Sequence, residues 1–587
     1  MKRVSSFFRT HGVQLFIIFM IASFMRFLWL DRIPTGIADD ELYYVLTAKS
    51  LYYSGKDLTE TIPLLTIVYT PSNFFLPVAK IPYIIFSPIL GNLSLSLFHA
   101  RLPYAFVSVL FCLVLYCVGY KLFHNKSYGL ILGIIIALNP WAIYFGRTSF
   151  EAPLAIFFIF SALLILMIAK KWWLLLSFPL FLFGLFSYMG TSIIIPVFLI
   201  IATAYSYVFI NKKKYILQYS ILVTGVILAT IGFIYLLKFQ YVGSRVSELL
   251  TPNHSMIAGQ VGLERQLSVP TVLTNIYTNK YIVFTKIILE RYLNVFSPVI
   301  LFMTGEGRAT FTLRFHGWFY SFEIVLLLLG LLGLYKNCRK QFLFLILFVL
   351  IAPIPSVLST DGMTFALRSS LLYPVLLFII AYGVYYMIDS SKKYKIFVAS
   401  ITAILYVIFT VNFLTIYFFR NPIANSEAFG FSGRILSEYL QRIQKKGIVT
   451  YVMHYQPNIN LFNQYLFYTD KYTIKTHKEL STQYRNVNGY SVDSIHFTSC
   501  LRNQLSQNTV IIASADFTCH GLKNTEAHTI VQLADSGSIY NIFNDQLCSA
   551  YTLSRYVKDI TFLDLEINKL SDEQFCRKYI ININTKE

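Results

Sequence analysis

Charge is what this chain has least of. Only 13% of its 587 residues are Asp, Glu, Lys or Arg, against roughly a quarter in ordinary soluble domains. Acids are scarcer still: 29 Asp and Glu stand against 49 Lys and Arg, for a net charge of +20. The short signatures of several chemistries are also missing. No zinc-ligand spacing, Walker loop, dinucleotide glycine fingerprint or nucleophile elbow occurs, and the ten histidines are scattered. No internal repeat is evident, which argues against a secondary transporter built from inverted halves. What fills the chain instead is apolar. It is 56% hydrophobic, with a mean hydropathy of +0.58. The composition is that of a polytopic membrane protein.

Apolar runs of roughly 18 to 24 residues, long enough to cross a bilayer, can be placed about eleven times: 12–30, 98–120, 128–144, 152–169, 172–189, 191–210, 215–237, 317–335, 341–355, 369–388 and 396–419. Basic residues cluster in alternate connections: Lys2, Arg3 and Arg9; Lys121 and Lys126; Lys170 and Lys171; Lys212 to Lys214; Lys336, Arg339 and Lys340; Lys392, Lys393 and Lys395. If the spans alternate, all of these fall on one side, with Asp389 the only acid among them. The positive-inside rule then predicts a cytoplasmic N-terminus and an extracytoplasmic tail. The surplus charge sets topology and is no footprint for nucleic acid. The first run has the basic start and apolar core of a signal peptide. However, Arg26, Trp29 and Asp31 follow it where a small-residue cleavage site would stand, so it reads as a retained span of an integral inner- or cell-membrane protein.

Three outward segments are long: loops 31–97 and 238–316, and a C-terminal domain over 421–587. The other outward turns, at 145–151, around 189–191 and at 356–368, are short. Long loops carry function more often than short ones. In the first loop, 40–54 mixes carboxylates with Leu42, Tyr43, Tyr44, Val45, Leu46, Leu51, Tyr52 and Tyr53. That pattern predicts a helix in the membrane interface, stopped at Gly55. The stretch 74–90 is broken by Pro77, Pro82 and Pro88 and reads as re-entrant or interfacial. The tail is more polar. Strand-like runs at 448–452, 510–513 and 539–542, with a helical pattern over 431–444, predict an α/β domain. Four cysteines lie there: Cys500, Cys519, Cys548 and Cys576. Two disulfides and four free thiols both fit, because pairing is not readable from spacing. Cys112 and Cys117 read as residues inside a span, and Cys338 as a reduced cytoplasmic thiol.

The most informative cluster is Asp39, Asp40 and Glu41, just beyond the outer end of the first span. Three carboxylates beside a bilayer are costly without a partner or water, so they mark the mouth of an outward-facing site. Other polar groups recur at that level: Lys80, His99, Arg101, Arg147, Glu151, Arg308, Arg314, His316, Asp361 and Arg368. Acids and bases converging from separate turns suit an anionic lipid headgroup. Arginine and lysine bind phosphate, and carboxylates handle hydroxyls. Blander readings compete. Arg308 and Arg314 fit a solvated face equally well. At i, i+4, Arg147 and Glu151 also fit a local helix salt bridge worth about a few tenths of a kcal/mol.

At this point the chain resembles the multi-spanning glycosyltransferases of the GT-C fold, in the branch holding the protein O-mannosyltransferases and the bacterial aminoarabinose transferases of lipid A. Asp40-Glu41-Leu42-Tyr43-Tyr44 fits that branch's Asp-Glu-x-x-aromatic motif. Lys80-Ile81-Pro82 resembles its Lys-Pro element, and Arg101-Leu102-Pro103 the opening of its second span. Arg147-Thr148-Ser149-Phe150-Glu151 resembles its second acidic motif, with Glu where Asp is common. Pro353, Pro355, Asp361 and Arg368 fit a turn of bacterial members. The likeness covers about 1–420, and the tail matches only in kind. It implies a GT-C type transmembrane domain over 1–420 and a polyprenyl-phosphate-linked sugar as donor. It also implies transfer to an acceptor hydroxyl on the outer face.

The expected roles follow. Asp40, with Glu41 and Asp39 beside it, supplies the base. Lys80, Arg101 and Arg368 stabilise the leaving phosphate. Arg147, Glu151, Tyr44 and Asp361 shape the substrate pocket. No cofactor is firmly implied. Oxygen ligands in the carboxylate cluster could hold a divalent metal, but the lysines and arginines favour chemistry without one. The acceptor class stays open between protein, lipid and envelope polymer. Two rivals stand beside this reading. An oligosaccharyltransferase-like enzyme is disfavoured because the tail lacks a Trp-Trp-Asp-Tyr-Gly run. A lipid-linked glycan flippase or exporter is disfavoured because spans two to seven hold almost no charge at mid-depth. A glycan polymerase with a dedicated outer loop also remains compatible.

Overall fold

The computed structural model describes residues 2–58, 79–210, 213–240, 249–307, 310, 312–360, 365–484, 488–500, 508–517, 528–534, 537–554 and 560–582. Asp361, Arg308 and Cys519 lie outside the described residues. Among those described, seven helices are long and apolar enough to cross a membrane: Thr10–Phe27, Leu97–Phe123, Glu151–Ile168, Ile216–Tyr235, Arg339–Val357, Leu372–Ser390 and Lys392–Ala424. An eighth arises if the bent pair Lys126–Leu138 and Pro140–Gly146 is one span. Among the described residues, length and apolarity thus mark seven or eight spans beside the expected count of about eleven. The remaining runs are helical over Lys171–Ser187, Ile195–Ile210 and Glu323–Asn337. At 1.5 Å per residue these reach roughly 22–26 Å, short of a ~30 Å hydrocarbon core. Beside them, 188–194 holds only the one-turn helix Met189–Ser192, and 317–322 is not helical.

The first elements build the mouth that carries the acidic cluster. They are α1 (Lys2–Phe27), α2 (Asp39–Ser54), α3 (Ile81–Asn92), α4 (Leu97–Phe123), α5 (Lys126–Leu138), α6 (Pro140–Gly146) and α7 (Glu151–Ile168). The α5–α6 pair bends by 58° at Asn139-Pro140, where proline has no N–H to continue the ladder. The freed carbonyls are taken by other elements, as buried backbone at membrane depth requires. Arg26 at the end of α1 donates to Ala137 O, and to Ile136 O at 3.1 Å. The Tyr320 hydroxyl donates to Leu138 O at 2.6 Å. Asn139 caps α6 through Ala142 N at 3.1 Å and donates to Trp318 O at 3.0 Å.

Close helix packing follows from small residues. A side chain at Gly330 would strike the carbonyl of Ile379, and one at Gly383 that of Leu326. The helices Glu323–Asn337 and Leu372–Ser390 thus meet backbone to backbone.

α2 stops at Gly55 (φ 71°), whose N–H returns to Leu51 O at 2.8 Å. The stop agrees with the sequence expectation, but the setting does not. Residues 41–50 are all buried, so α2 is packed inside protein and does not lie on a lipid surface. It sits between α3 and a tail helix, Ile459–Tyr468.

The tail is a seven-stranded mixed sheet: β1 (Val449–Met453), β2 (Gly489–Val492), β3 (Ile495–Thr498), β4 (Thr509–Ser514), β5 (His528–Val531), β6 (Ser538–Phe543) and β7 (Ile580–Asn582). The order is β2-β3-β1-β4-β6-β5-β7. β1 runs parallel to β3 and β4, and the outer pairs are antiparallel. Three strands and the amphipathic helix Phe431–Lys445 correspond to runs the sequence marks. β2, β3, β5 and β7 are too short to stand out. Cys548 and Cys576 form a disulfide, and Cys500 is also disulfide-bonded. Cys112, Cys117 and Cys338 are free.

Candidate active site

α2 begins with three acids at its first three positions, where negative charge complements the helix dipole. They do not share one environment. Glu41, the third, is fully buried. Its Oε2 accepts from Ala38 N at 3.1 Å, satisfying the N-cap backbone donor of α2. Its Oε1 accepts from Ser149 N at 2.6 Å, reaching the turn between α6 and α7. Arg101 of α4 pairs with it at 3.4 Å, with no solvent access to either side chain. Arg101 also donates to Pro34 O at 2.8 Å and to Gly36 O. Its donors are thereby directed at Glu41 and the loop that carries the acids. A side chain at Gly36 would strike the carbonyl of Phe429, so only glycine lets this loop touch the connection into the tail.

Arg147 has a similar setting. Fully buried, it donates to Tyr417 Oη at 3.2 Å, Met25 O at 3.1 Å, Arg26 O at 3.0 Å and Ile33 O at 3.1 Å. Its guanidinium lies 5.1 Å from the Phe418 ring centre. It is the C-cap of α6, whereas Glu151 opens α7. The two do not share a helix, and Arg147's partners are all others, so the local salt bridge that their spacing allows is not formed. Tyr44 is buried in α2 with its ring 6.3 Å from that of Tyr43. Glu151 is half-buried, within electrostatic reach of the Tyr104 hydroxyl, as is Glu41. Below them Tyr104, Phe111, Trp141, Phe145, Phe150 and Leu154 line a narrow apolar cavity.

Asp39 and Asp40 are exposed. Asp39 accepts from Asn460 Nδ2 of the tail at 3.1 Å. Loss of water around its carboxyl, then the charge of Asp40, push its pKa above the usual carboxylate range. Tyr540 of β6 lies within electrostatic reach of Asp39, Glu427 and Asp516, and Glu427 accepts from Ser432 Oγ at 2.7 Å. The mouth therefore has two walls, one from the first loop and one from the tail. Further contacts hold them together: Arg434 to Thr35 O, the Arg32–Glu566 ion pair, and Leu95 N to Asp470 Oδ1 at 2.8 Å.

Lys80 is buried at the start of α3. Burial pushes its pKa down to about 8, with the charge of nearby Asp57 acting the other way. Arg368 ends the short helix Phe365–Arg368 and donates to Ser359 Oγ. Close by, Glu306 accepts from Ala366 N at 2.9 Å. Arg314 and Arg420 are exposed and line an open cleft with Phe419 and Ile423. Asp57, Glu306, Glu427, Asn460 and Tyr540 are absent from the sequence reading of the site. The last three belong to the tail or its connection, where no motif points to them. Among the described residues no group of three or more His, Cys, Asp or Glu is placed to hold a metal ion.

No family model matches this chain, and no curated protein matches it. Among solved structures, it is similar to the archaeal oligosaccharyltransferase AglB from Archaeoglobus fulgidus, in complex with an inhibitory peptide and a dolichol-phosphate. The TM-score is 0.42 at 12% identity, over 92% of this chain and 75% of that one. It is also similar to ArnT from Cupriavidus metallidurans bound to undecaprenyl phosphate, with a TM-score of 0.41 at 10% identity, over 92% and 98% of the two chains. The apo state of that ArnT gives 0.37 at 10% identity. At this level of similarity neither family nor activity carries over to this chain.

Proposed function

We propose that this protein is an integral-membrane glycosyltransferase moving a sugar from a polyprenyl-phosphate-linked donor to an acceptor hydroxyl on the outer face of the membrane. The observation that carries this reading is the buried Glu41–Arg101 pair, which also grips Ser149. It holds the first turn of α2 so that Asp39 and Asp40 stand at the mouth, between the first loop and the tail. In this reading the N-terminus is cytoplasmic and the tail extracytoplasmic.

The chemistry needs little else. A lipid phosphate is already a stable anion as it leaves, so no general acid is required, unlike the paired carboxylates of a glycosidase. The acceptor oxygen attacks the anomeric carbon while Asp40 takes its proton. The bond from that carbon to the phosphate oxygen breaks, and the electron pair stays on the phosphate. One displacement inverts the anomeric centre. Lys80 and Arg368 stabilise the departing phosphate, and Asp361 is assigned to the substrate pocket. Arg101, whose donors reach Glu41 and two loop carbonyls, serves the phosphate by holding the loop. Arg147, Glu151 and Tyr44 form the pocket wall, and the apolar span surfaces take the prenyl chain.

The test is transfer from labelled polyprenyl-phosphate sugars of several types in native membranes, comparing wild type with Asp40→Asn. The substitution preserves shape and removes the base. Wild type should consume one donor, and Asp40→Asn at equal abundance should lose about 10²- to 10⁴-fold in rate. Full turnover by Asp40→Asn would remove Asp40 as base. No consumption of any donor, with acceptor-containing membranes present, would remove the enzyme reading.

A further inference from the structure

The tail sheet has a topological switch point that the mouth alone does not explain. β1 is flanked by β3 and β4, both parallel to it. After β1 the chain moves to one side, through β2 and β3. It then returns to the other side at β4 and continues outward through β6 and β5. The connections therefore diverge between β1 and β4. In sheets of this kind ligands bind beyond the carboxyl ends of the strands at such a switch point.

The residues just past those ends are His454 and Tyr455 after β1, and Asp516 and Phe517 after β4. The Tyr455 ring stands 4.7 Å from the Phe517 ring at 76°. The His454 ring lies 6.4 Å from Phe517, nearly parallel to it. Tyr455 is held in place by its hydroxyl, which donates to Asp516 O at 3.0 Å, yet the residue is 61% exposed. Asp516 is exposed and accepts from Ser514 Oγ. That hydrogen bond, and more weakly the nearby His454, keeps its carboxyl below the usual range and ionised. Fixed aromatic faces beside an acceptor-rich edge match a sugar ring, which has apolar C–H faces and hydroxyls around its rim.

Two alternatives fit less well. Among the described residues just past these strand ends, 454–458 and 515–517, none is lysine or arginine, so an anionic headgroup has no basic partner among them. β1 and β4 are each paired on both sides, so an extended peptide has no free strand edge to join.

Two residues link this switch point to the acids. Tyr540 faces Ser514 in the β4–β6 register and lies within electrostatic reach of both Asp516 and Asp39. Asn460, in the first turn of the helix after β1, donates to Asp39. We infer that the crevice between the carboxyl ends of β1 and β4 is the acceptor site, and that the acceptor is a neutral glycan. Its ring stacks on Tyr455 and Phe517, Asp516 and His454 hold its hydroxyls, and the next hydroxyl along reaches the Asp39–Asp40 mouth. The acceptor role rests on the glycosyl-transfer reading; the glycan site does not.

The test uses the full chain in lipid nanodiscs and three fluorescently labelled tetrasaccharides: α-1,6-mannose, α-1,4-glucose and β-1,4-N-acetylglucosamine. At least one should bind wild type. Tyr455→Ala/Phe517→Ala should weaken it about tenfold or more, and the conservative Asp516→Asn severalfold, with thermal unfolding checked for each. No binding by any of the three, binding unchanged in the aromatic double variant, or capture of a serine/threonine-rich peptide in place of the glycans would overturn the site. Donor consumption separates the two readings. Donor consumption by wild type, with an acceptor KM that the double variant leaves unmoved, sinks this site alone. Glycan binding through Tyr455 and Phe517 without donor consumption sinks the acceptor role and leaves a glycan-binding crevice.

Discussion

Glu41 and Arg101 meet 3.4 Å apart with no access to solvent, whereas Asp39 and Asp40 stand exposed on the same turn of the same helix. The floor and the rim of the mouth use similar side chains for opposite ends. On the floor, Glu41 and Arg101 bond each other and backbone, and Arg147 bonds Tyr417 and backbone, because a buried ion left partly unpaired is expensive. On the rim, Asp39 and Asp40 face a gap that the tail borders with Asn460, Glu427 and Tyr540. Charge adjacency in sequence thus says little about duty. The depth at which each carboxylate ends decides whether it can meet a substrate.

The substitution that separates floor from rim most sharply is Arg101→Met. It leaves Glu41 charged and buried without its partner, and should cost about 3–5 kcal/mol of stability. The check is thermal unfolding and monodispersity in detergent. Adding Glu41→Gln to the same protein should restore much of the loss. An Arg101→Met protein that melts like wild type but loses donor affinity would move Arg101 from holding the loop to binding phosphate.

A smaller effect concerns Lys80, which is buried like the floor but assigned to the substrate. Its pKa is depressed to about 8, so its cation is present below that pH and disappears as pH rises through it. The rate at limiting donor should therefore fall above about pH 8. Lys80→Arg, which stays charged throughout, should abolish that alkaline fall. A pH profile of kcat/KM for the donor in both proteins decides it. The same fall in Lys80→Arg would free Lys80 of the role.

The smallest effect should come from Asn460→Ala on the rim, where one hydrogen bond to an exposed carboxylate is lost. About a twofold change in acceptor KM, with kcat unchanged, is expected for a bond in competition with water. A large drop in kcat would show that Asn460 orients Asp39 for the chemistry.

Much of the frame is legible from residues alone. The Gly55 stop, the helix over 431–444 and the strands near 448, 510 and 539 come from local pattern, and each lies within a residue or two of the observed element. The acidic triplet is equally visible. The division of labour inside it is not. Glu41 meets Arg101 60 positions on and Ser149 108 positions on. Arg26 closes the α5–α6 break 110 positions away. Asp39 meets Asn460 421 positions away. None of these partners shares a helix or strand with the residue it serves, so no periodicity reports them. The i, i+4 spacing of Arg147 and Glu151 points to a pair that the break between α6 and α7 prevents.

Membrane embedding and the α/β character of the tail were determined by the sequence itself. They depend on how many apolar residues a segment holds and at what period, which each segment carries alone. The tertiary structure decided which apolar segments are full-length helices, which charges are sealed and which are offered. It also decided that the tail supplies one wall of the mouth. Those outcomes depend on which groups meet, because the energy of a buried charge is set by its partners and its distance from water, and both are created only when distant parts of the chain pack together.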